Sequence, residues 1–256
     1  MCVVLHEDRV RAESFGADAA RYDRSRPGYP DALVAFLSEG RRDVLDVGCG
    51  TGIASRQLVA CGCAVLGVEV DARMAAFARD AGVAVEEGRF EDWDPGDRRF
   101  DLVVAAQSWH WVDPVAGAAK ASDVLHADGR IGLFWNVARH DPSIEAALDA
   151  PYRDLGIDVD QHSIVLGRGG DDRFPRALDG LRAVGAFDAI EQREYEWTKR
   201  YTTASWLDHL PTHSDHATLP PETLAALLDG VGDAIERRGG AFDVSYRTVL
   251  VTALRA

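Results

Sequence analysis

The stretch Val44-Leu45-Asp46-Val47-Gly48-Cys49-Gly50-Thr51-Gly52 decides the architecture. A short apolar strand runs into three glycines spaced one residue apart, and the positions over about 53–61 then read as a helix. Such an elbow suits a ligand that approaches the backbone, because glycine takes positive φ and puts no side chain in the way. The N–H groups exposed at the start of the following helix favour an anion or a carboxylate. Alone, the elbow is shared by several cofactors. Two details narrow it. The spacing is Gly48-x-Gly50-x-Gly52, not the G-x-G-x-x-G of dinucleotide binders, and an acid, Asp46, stands just before it. A cofactor whose amino-acid end carries an ammonium and a carboxylate would use both charges. Glu69, closing the next strand, is spaced to bind ribose hydroxyls, a spacing that NAD would also satisfy.

Working outward, strand and helix alternate. Residues 64–69 read as a second strand, 71–81 as a helix, 83–87 as a third strand and 100–106 as a fourth, apolar on both faces. Asp113-Pro114 caps a helix to about His126, Ala127-Asp128-Gly129 reads as a turn, and 130–136 as a fifth strand. Alternation of this kind means a parallel sheet with right-handed crossovers. Upstream, residues 1–14 read as a loose arm. Phe15, Ala19 and Tyr22 mark a short helix that Pro27 ends, and a second helix runs from Pro30-Asp31 to Gly40. Downstream the rhythm changes. Residues 140–175 read as helical fragments and glycine-rich loops over the top of the sheet, and 187–197 as a strand. A short helical piece at 205–210 precedes a helix opened by Pro220-Pro221 and ended by Gly239-Gly240. The last strand, 242–254, has a portion apolar on both faces, which suits a place between other strands.

The 256 residues suffice for one large domain with a real core. The net charge of −14, with basic runs no longer than Arg41-Arg42, Arg98-Arg99 and Arg237-Arg238, argues against a nucleic-acid partner and for a small-molecule substrate. No apolar run reaches the roughly 18–20 residues of a membrane helix, and the start is too short and acidic for a secretory signal, so a cytoplasmic protein is expected. Cys2, Cys49, Cys61 and Cys63 read as reduced thiols. His209, His213 and His216 are spaced H-x3-H-x2-H, but Pro211 breaks the helix between the first two, so no metal site is expected; 205–216 reads instead as a helix and loop lining the substrate pocket. No G-x-S-x-G elbow offers a hydrolase nucleophile.

The glycine stretch resembles the first motif of class I S-adenosylmethionine-dependent methyltransferases, of the type 11 domain kind. Gly67-Val68-Glu69-Val70-Asp71 through Met74 resembles their second motif, Gly88-Arg89-Phe90-Glu91-Asp92 the third, and Val124-Leu125 to Gly129-Arg130 the turn before the fifth strand. The resemblance covers about residues 40–136. The flanks Tyr22 to Pro30 and Ser108 to Asp113 are similar to a subgroup that includes the yeast-type trans-aconitate methyltransferases. The resemblance implies an α/β, Rossmann-like, doubly wound seven-stranded sheet, mostly parallel with an antiparallel last strand. It implies an N-terminal helical cap over residues 1–42, a core over 43–139 and 176–256, and insertions at 140–175 and 203–238 forming a substrate lid.

It also implies roles. Asp46, Gly48, Cys49, Gly50 and Gly52 would hold the methionine end of S-adenosyl-L-methionine, which leaves as S-adenosyl-L-homocysteine. Glu69 would take the ribose, Val70 and Met74 the adenine face, and Phe90 and Glu91 the adenine edge; Phe90 stands where the family usually has a small residue. Ala106 and Gln107 would lie near the sulfonium. Tyr22 and Arg26 would close the site, with Arg26 toward the methionine carboxylate. Trp109, Trp111, Tyr22 and Tyr29 offer aromatic faces to the sulfonium cation. His110 is the candidate base for a hydroxyl acceptor, which a carboxylate acceptor would not need. In-line methyl transfer to a carboxylate or hydroxyl oxygen of a small molecule is the favoured reading, by a monomer or homodimer. A non-catalytic S-adenosylmethionine-binding protein and an NAD-dependent oxidoreductase are the alternatives.

Overall fold

The computed structural model describes residues 15–158 and 173–256. The arm expected over 1–14, Cys2 and the glycine-rich stretch at 167–170 lie outside the described residues. Seven strands form one sheet in the order β3-β2-β1-β4-β5-β7-β6: β1 (Asp43–Val47), β2 (Ala64–Glu69), β3 (Ala84–Glu87), β4 (Phe100–Ala106), β5 (Leu125–Arg139), β6 (Phe187–Thr202) and β7 (Ala241–Arg255). Strand β7 lies between β5 and β6 and is antiparallel to both; the remaining pairs are parallel. The chain runs left from β1 through β2 to β3 and then returns to β4, so the order reverses between β1 and β4. In open α/β sheets this reversal opens a crevice at the carboxyl ends of the strands.

Helices cover both faces. Leu33 and Leu37 of α2 (Asp31–Ser38) and Leu58 of α3 (Ile53–Ala60) pack on Val44, Leu102 and Phe134. On the opposite face, Ala118 and Ala121 of α5 (Pro114–Val124) and Phe174 and Leu181 of α7 (Arg173–Val184) pack on Val103 and Trp135. Strands β1 and β4 are buried on both faces, as continuous apolar runs require. A third cluster sits over the far end of β6 and β7, where Tyr152 of α6 (Pro142–Asp154), Trp206 of α8 (Thr203–His209) and Leu227 and Val231 of α9 (Pro221–Glu236) meet Tyr201 and Phe242. Helices α1 (Ala19–Ser25) and α4 (Ala72–Asp80) complete the set among the described residues.

Three elements differ from the sequence reading. Strand β5 begins at Leu125 rather than 130: Leu125 pairs with Phe100 and Arg130 with Leu102, so the expected turn at 127–129 rides as an irregularity within a longer strand, with Asp128 at φ +62°. Strand β6 extends to Thr202, because it pairs with β7 along its length from Phe187↔Arg255 to Thr202↔Ala241. Helix α7 was not anticipated. Pro175 and Gly180 lower its intrinsic helicity, and tertiary packing overrides that preference. Gly180 is where α7 meets the start of α5: a Cβ there would lie 2.3 Å from the Pro114 carbonyl oxygen, which is backbone and cannot swing away.

Gly180→Ala is therefore expected to destabilise the chain by about 1–3 kcal/mol, as overpacking does. Urea unfolding measures it, and an unchanged midpoint would contradict this packing.

Candidate active site at the sheet reversal

After Val47 the chain turns over the end of β2. The Gly48 and Cys49 amides donate to the Val68 carbonyl at 2.8 and 3.3 Å, and the Gly52 amide closes the loop on Cys49 O at 2.9 Å. Gly48 has φ +65°, and a Cβ there would meet the Ser108 side chain at 2.6 Å, so both backbone conformation and space demand glycine. Ser108 in turn donates to the Val47 carbonyl at 2.5 Å, locking the end of β4 against the end of β1. Gly50 also has positive φ, and none of the described residues stands within 4 Å of where its Cβ would be.

Two buried acids flank this loop. Glu69 accepts from the Gly50 amide at 2.7 Å and from Val70 and Asp71 at 2.9 and 3.0 Å. Burial nonetheless raises its pKa, outweighing those three backbone donors. Asp46 accepts from the Ser55 hydroxyl at 2.6 Å, while its other oxygen has no partner among the described residues. Burial, with the nearby Glu69 charge adding to it, pushes Asp46 up to about 7. Asp71 caps α4 and also accepts from the Gly16 amide at 3.0 Å, which pins the N-terminal segment over this end of the sheet.

The other expected cofactor residues surround the loop. Cys49 is buried against Gly67 and its thiol pKa is raised by burial; Met74 and Phe90 are buried, and Val70 is half-buried. Glu91 accepts from the Asp113 amide at 3.1 Å and so ties the β3 exit to the α5 cap. Ala106 ends β4. Gln107 follows at φ +61°, an unusual conformation for a residue with a side chain, with its amide on Phe134 O and its Nε2 on Asn136 O. Strain of this kind recurs at functional sites.

Beyond Gln107 an open cleft lies between the strand ends and two flanking segments. Its floor is the start of α3 at Ile53 together with Gln107 after β4, Asn136 and Ala138 of β5 and Tyr246 of β7. Tyr22, Arg26, Pro27 and Tyr29 close one side, and Trp206, His209 and His213 the other. The sides are fastened together. Arg21 and Arg24 both reach Asp208, at 3.1 and 2.6 Å, and these contacts hold its carboxyl below the usual carboxylate range. Arg26 Nη2 donates to Thr212 O at 2.7 Å. Arg56 joins Asp23 of α1 to the Thr51 carbonyl of the glycine loop, each at 2.7 Å. Arg26 itself lies over the Tyr22 ring; its Nε is buried without a partner, and no carboxylate pairs with it among the described residues.

Two expected residues sit elsewhere. Trp109 is buried in the core against Phe90, with ring centroids 6.2 Å apart, and does not line the cleft. His110 Nδ1 accepts from Trp135 Nε1 at 3.3 Å, on the α5 and α7 face of the sheet, and does not line the cleft either. Asn136, Ile53, Ala138 and Tyr246 are lining residues that the sequence reading did not single out. They come from strand ends and a helix start whose meeting depends on register, and no local pattern marks them. Among the described residues no group of three or more His, Cys, Asp or Glu could hold a metal ion, and no helix is long and apolar enough to cross a membrane. Cys49, Cys61 and Cys63 are free thiols.

The fold and loop define an α/β protein that carries its ligand at the sheet's point of reversal. Comparison with known proteins makes this specific. A family profile described as a methyltransferase domain matches residues 44–129. A methyltransferase of Mycobacterium tuberculosis (strain ATCC 25618 / H37Rv) is 31% identical over 224 residues, covering 85% of this chain and 84% of that one. A solved structure from Anaeromyxobacter dehalogenans, described as a type II methyltransferase, has the same fold, with a TM-score of 0.62 and 24% identity over 90% of this chain and 97% of that one. The phosphoethanolamine N-methyltransferase 2 of Haemonchus contortus, solved with S-adenosyl-L-methionine, shares the fold at a TM-score of 0.52 and 14% identity, covering 94% of this chain and 57% of that one. The chain belongs to the S-adenosylmethionine-dependent methyltransferases.

Asp46 gives a pH signature. Unfolded, it releases its proton near 3.8; folded, near 7. Between those values the native state holds a proton that the unfolded chain has lost, so this group's contribution to stability falls as pH rises through that window and is flat above it. Asp46→Asn removes the dependence. Its Tm, relative to wild type, is expected to climb from about pH 4 to about pH 7, and a constant difference across that range would refute the burial of this carboxylate.

Proposed function

We propose that this methyltransferase moves a methyl group to an oxygen of a small molecule seated in the cleft between Arg26, Gln107 and His213. The residues present suit a cofactor with an amino-acid end. Among the described residues, Asp46 offers a buried unpartnered oxygen to an ammonium, Arg26 a buried unpartnered N–H to a carboxylate, and Gly50 open space beside its backbone. S-adenosyl-L-methionine, when bound, supplies a methyl on a sulfonium, an electrophile that is already activated.

The chain's own part is binding and alignment. Gly48, Cys49, Gly50 and Gly52 shape the loop against which the amino-acid end lies. Glu69 exchanges its hold on the Gly50 amide for sugar hydroxyls. Val70 and Met74, with Phe90 and Glu91 beyond them, border the base. Ala106 and Gln107 stand at the junction with the cleft. Tyr22 and Arg26 close the roof, and the described parts of the expected cap (15–42) and lid (140–158, 173–175 and 203–238) flank the core. Trp109 and His110 support the strand ends from the far face.

The observation that carries this reading is the cleft. It is lined by aromatic side chains with a few polar groups, Arg26, Gln107 and Asn136 among them, as small-molecule sites are. It starts at Gln107, the strained residue beside the glycine loop, and among the described residues none that lines it is a carboxylate. The flanks' likeness to trans-aconitate methyltransferases adds an acid to the acceptor classes worth testing.

Glu69→Ala is expected to weaken S-adenosyl-L-methionine binding by about 1.5–3 kcal/mol, roughly 10- to 150-fold, by calorimetry on a variant that keeps its circular dichroism. Unchanged affinity would overturn the cofactor assignment. A radiolabelled methyl-transfer panel of acids, phenols and alcohols tests the acceptor class; cofactor binding with no transfer to any oxygen would overturn the O-methylation reading.

A further inference from the structure

The side-chain amide of Gln107 is held at one end and open at the other. Asn136 fixes the held end. Trp197 Nε1, which can only donate, bonds to Thr248 Oγ1 at 2.9 Å, so the Thr248 hydroxyl gives its own proton to Asn136 Oδ1 at 2.6 Å. Asn136 Nδ2 then donates to Gly28 O at 3.0 Å. With that side chain committed at both ends, the Asn136 backbone carbonyl accepts from Gln107 Nε2 at 3.2 Å. A carbonyl can only accept, so the Gln107 amide cannot turn over without setting oxygen against oxygen. Its Oε1 is thereby directed away from that carbonyl, and among the described residues nothing donates to it. Gln107 is half-buried in the floor of the cleft. The next residue, Ser108, stands against the glycine loop, where a Cβ on Gly48 would meet its side chain at 2.6 Å. The open oxygen therefore belongs to the residue that joins the cofactor loop to the cleft. Its backbone sits at φ +61°, where glycine is free of strain and asparagine is more at ease than glutamine.

We propose that Gln107 sets the acceptor class: its Oε1 accepts a hydrogen bond from the hydroxyl to be methylated, so the acceptor is an alcohol or a phenol and not a carboxylate. The proposal rests on the methyltransferase reading of the cleft and narrows its substrate class. A hydroxyl has one hydrogen to give and keeps its lone pairs for the methyl carbon. Donation to Oε1 turns those lone pairs away from the amide and fixes the oxygen's direction of attack. A carboxylate near pH 7 has no hydrogen to give and meets Oε1 as one acceptor meets another. A site that pairs with a substrate hydroxyl rejects the analogue lacking it far more sharply than an apolar pocket sorts by size. The acceptor oxygen makes the new C–O bond as the methyl carbon's bond to sulfur breaks. The electron pair stays on sulfur and the hydroxyl proton passes to solvent water, to which the cleft is open, so one cation replaces another. Gln107 touches and orients the acceptor and takes no proton itself.

Two side chains of similar length separate this role from a structural tie. Gln107→Glu keeps an accepting oxygen and gives up the donation to Asn136, whereas Gln107→Met gives up both. Phenol, benzyl alcohol and benzoate are the probes, each with a ring to suit Tyr29, Trp206 and Tyr246 in the wall. Their binding to the full chain saturated with S-adenosyl-L-homocysteine is measured by calorimetry, and methyl transfer to each by radiolabel. Wild type is expected to bind one of the two hydroxyl probes more tightly than benzoate and to methylate it. Gln107→Met is expected to bind that probe about 10-fold more weakly and benzoate no more weakly, and Gln107→Glu to hold the hydroxyl probe within about 3-fold. Retained affinity for S-adenosyl-L-homocysteine shows that a variant is folded. If Gln107→Met loses it, Gln107→Gly, which relieves the backbone and also lacks the oxygen, carries the same expectation. Damage to the fold would weaken all three probes alike. Equal weakening of hydroxyl probe and benzoate, a wild type that binds benzoate best or binds none of the three, or transfer to benzoate alone overturns the proposal and leaves the methyltransferase reading intact. Failure of wild type to bind S-adenosyl-L-methionine overturns both, and calorimetry without any acceptor tells it apart.

Discussion

Two carboxylates, Asp46 and Glu69, are buried at neighbouring strand ends with no cation beside them among the described residues. Burying charge without a partner costs several kcal/mol, which a chain tolerates only where something else compensates. Glu69 is partly compensated by three backbone N–H groups, and these contacts hold the glycine loop against the end of β2. Asp46 has one hydroxyl and a bare oxygen. The rest of the site follows from that placement. Strand β1 must stop at Val47, the loop must pass over Val68 with glycine at position 48, and β4 must deliver Gln107 beside it in a conformation that few residues adopt.

Much of this was legible in the sequence because it is local. The strand, three glycines and helix over 44–60 are one continuous signal, and Glu69 is fixed by the length of a single β–α–β unit. The central position of β7 was legible too, since Val249-Leu250-Val251 can be apolar on both faces only between other strands. The cleft was only half legible. The 205–216 segment was anticipated as a pocket wall from its clustered histidines, yet Asn136 and Tyr246 meet there through the register Asn136↔Thr248 and Ala138↔Tyr246, which no local pattern encodes. His110 shows the converse. It follows β4 at the right end of the sheet, but the turn at Trp109–Trp111 carries its ring to Trp135, across the sheet from the cleft.

The family resemblance and the geometry bear on different questions. Relatives establish the chemistry class, and structures at 24% identity or less establish only the fold. Which molecule accepts the methyl is decided by side chains in the roof and floor of the cleft, outside the residues matched by the family profile except for Ile53 and Gln107. That division explains why glycine-loop chemistry can persist while acceptors diverge.

Charge fastens the two sides of the roof to each other. Asp208 grips two arginines of α1, and all three side chains are partly exposed to water. Pairs of this kind weaken as dissolved ions gather around them. The tie between α1 and α8 therefore depends on its medium: dissolved salt loosens the grip of Asp208 on both arginines.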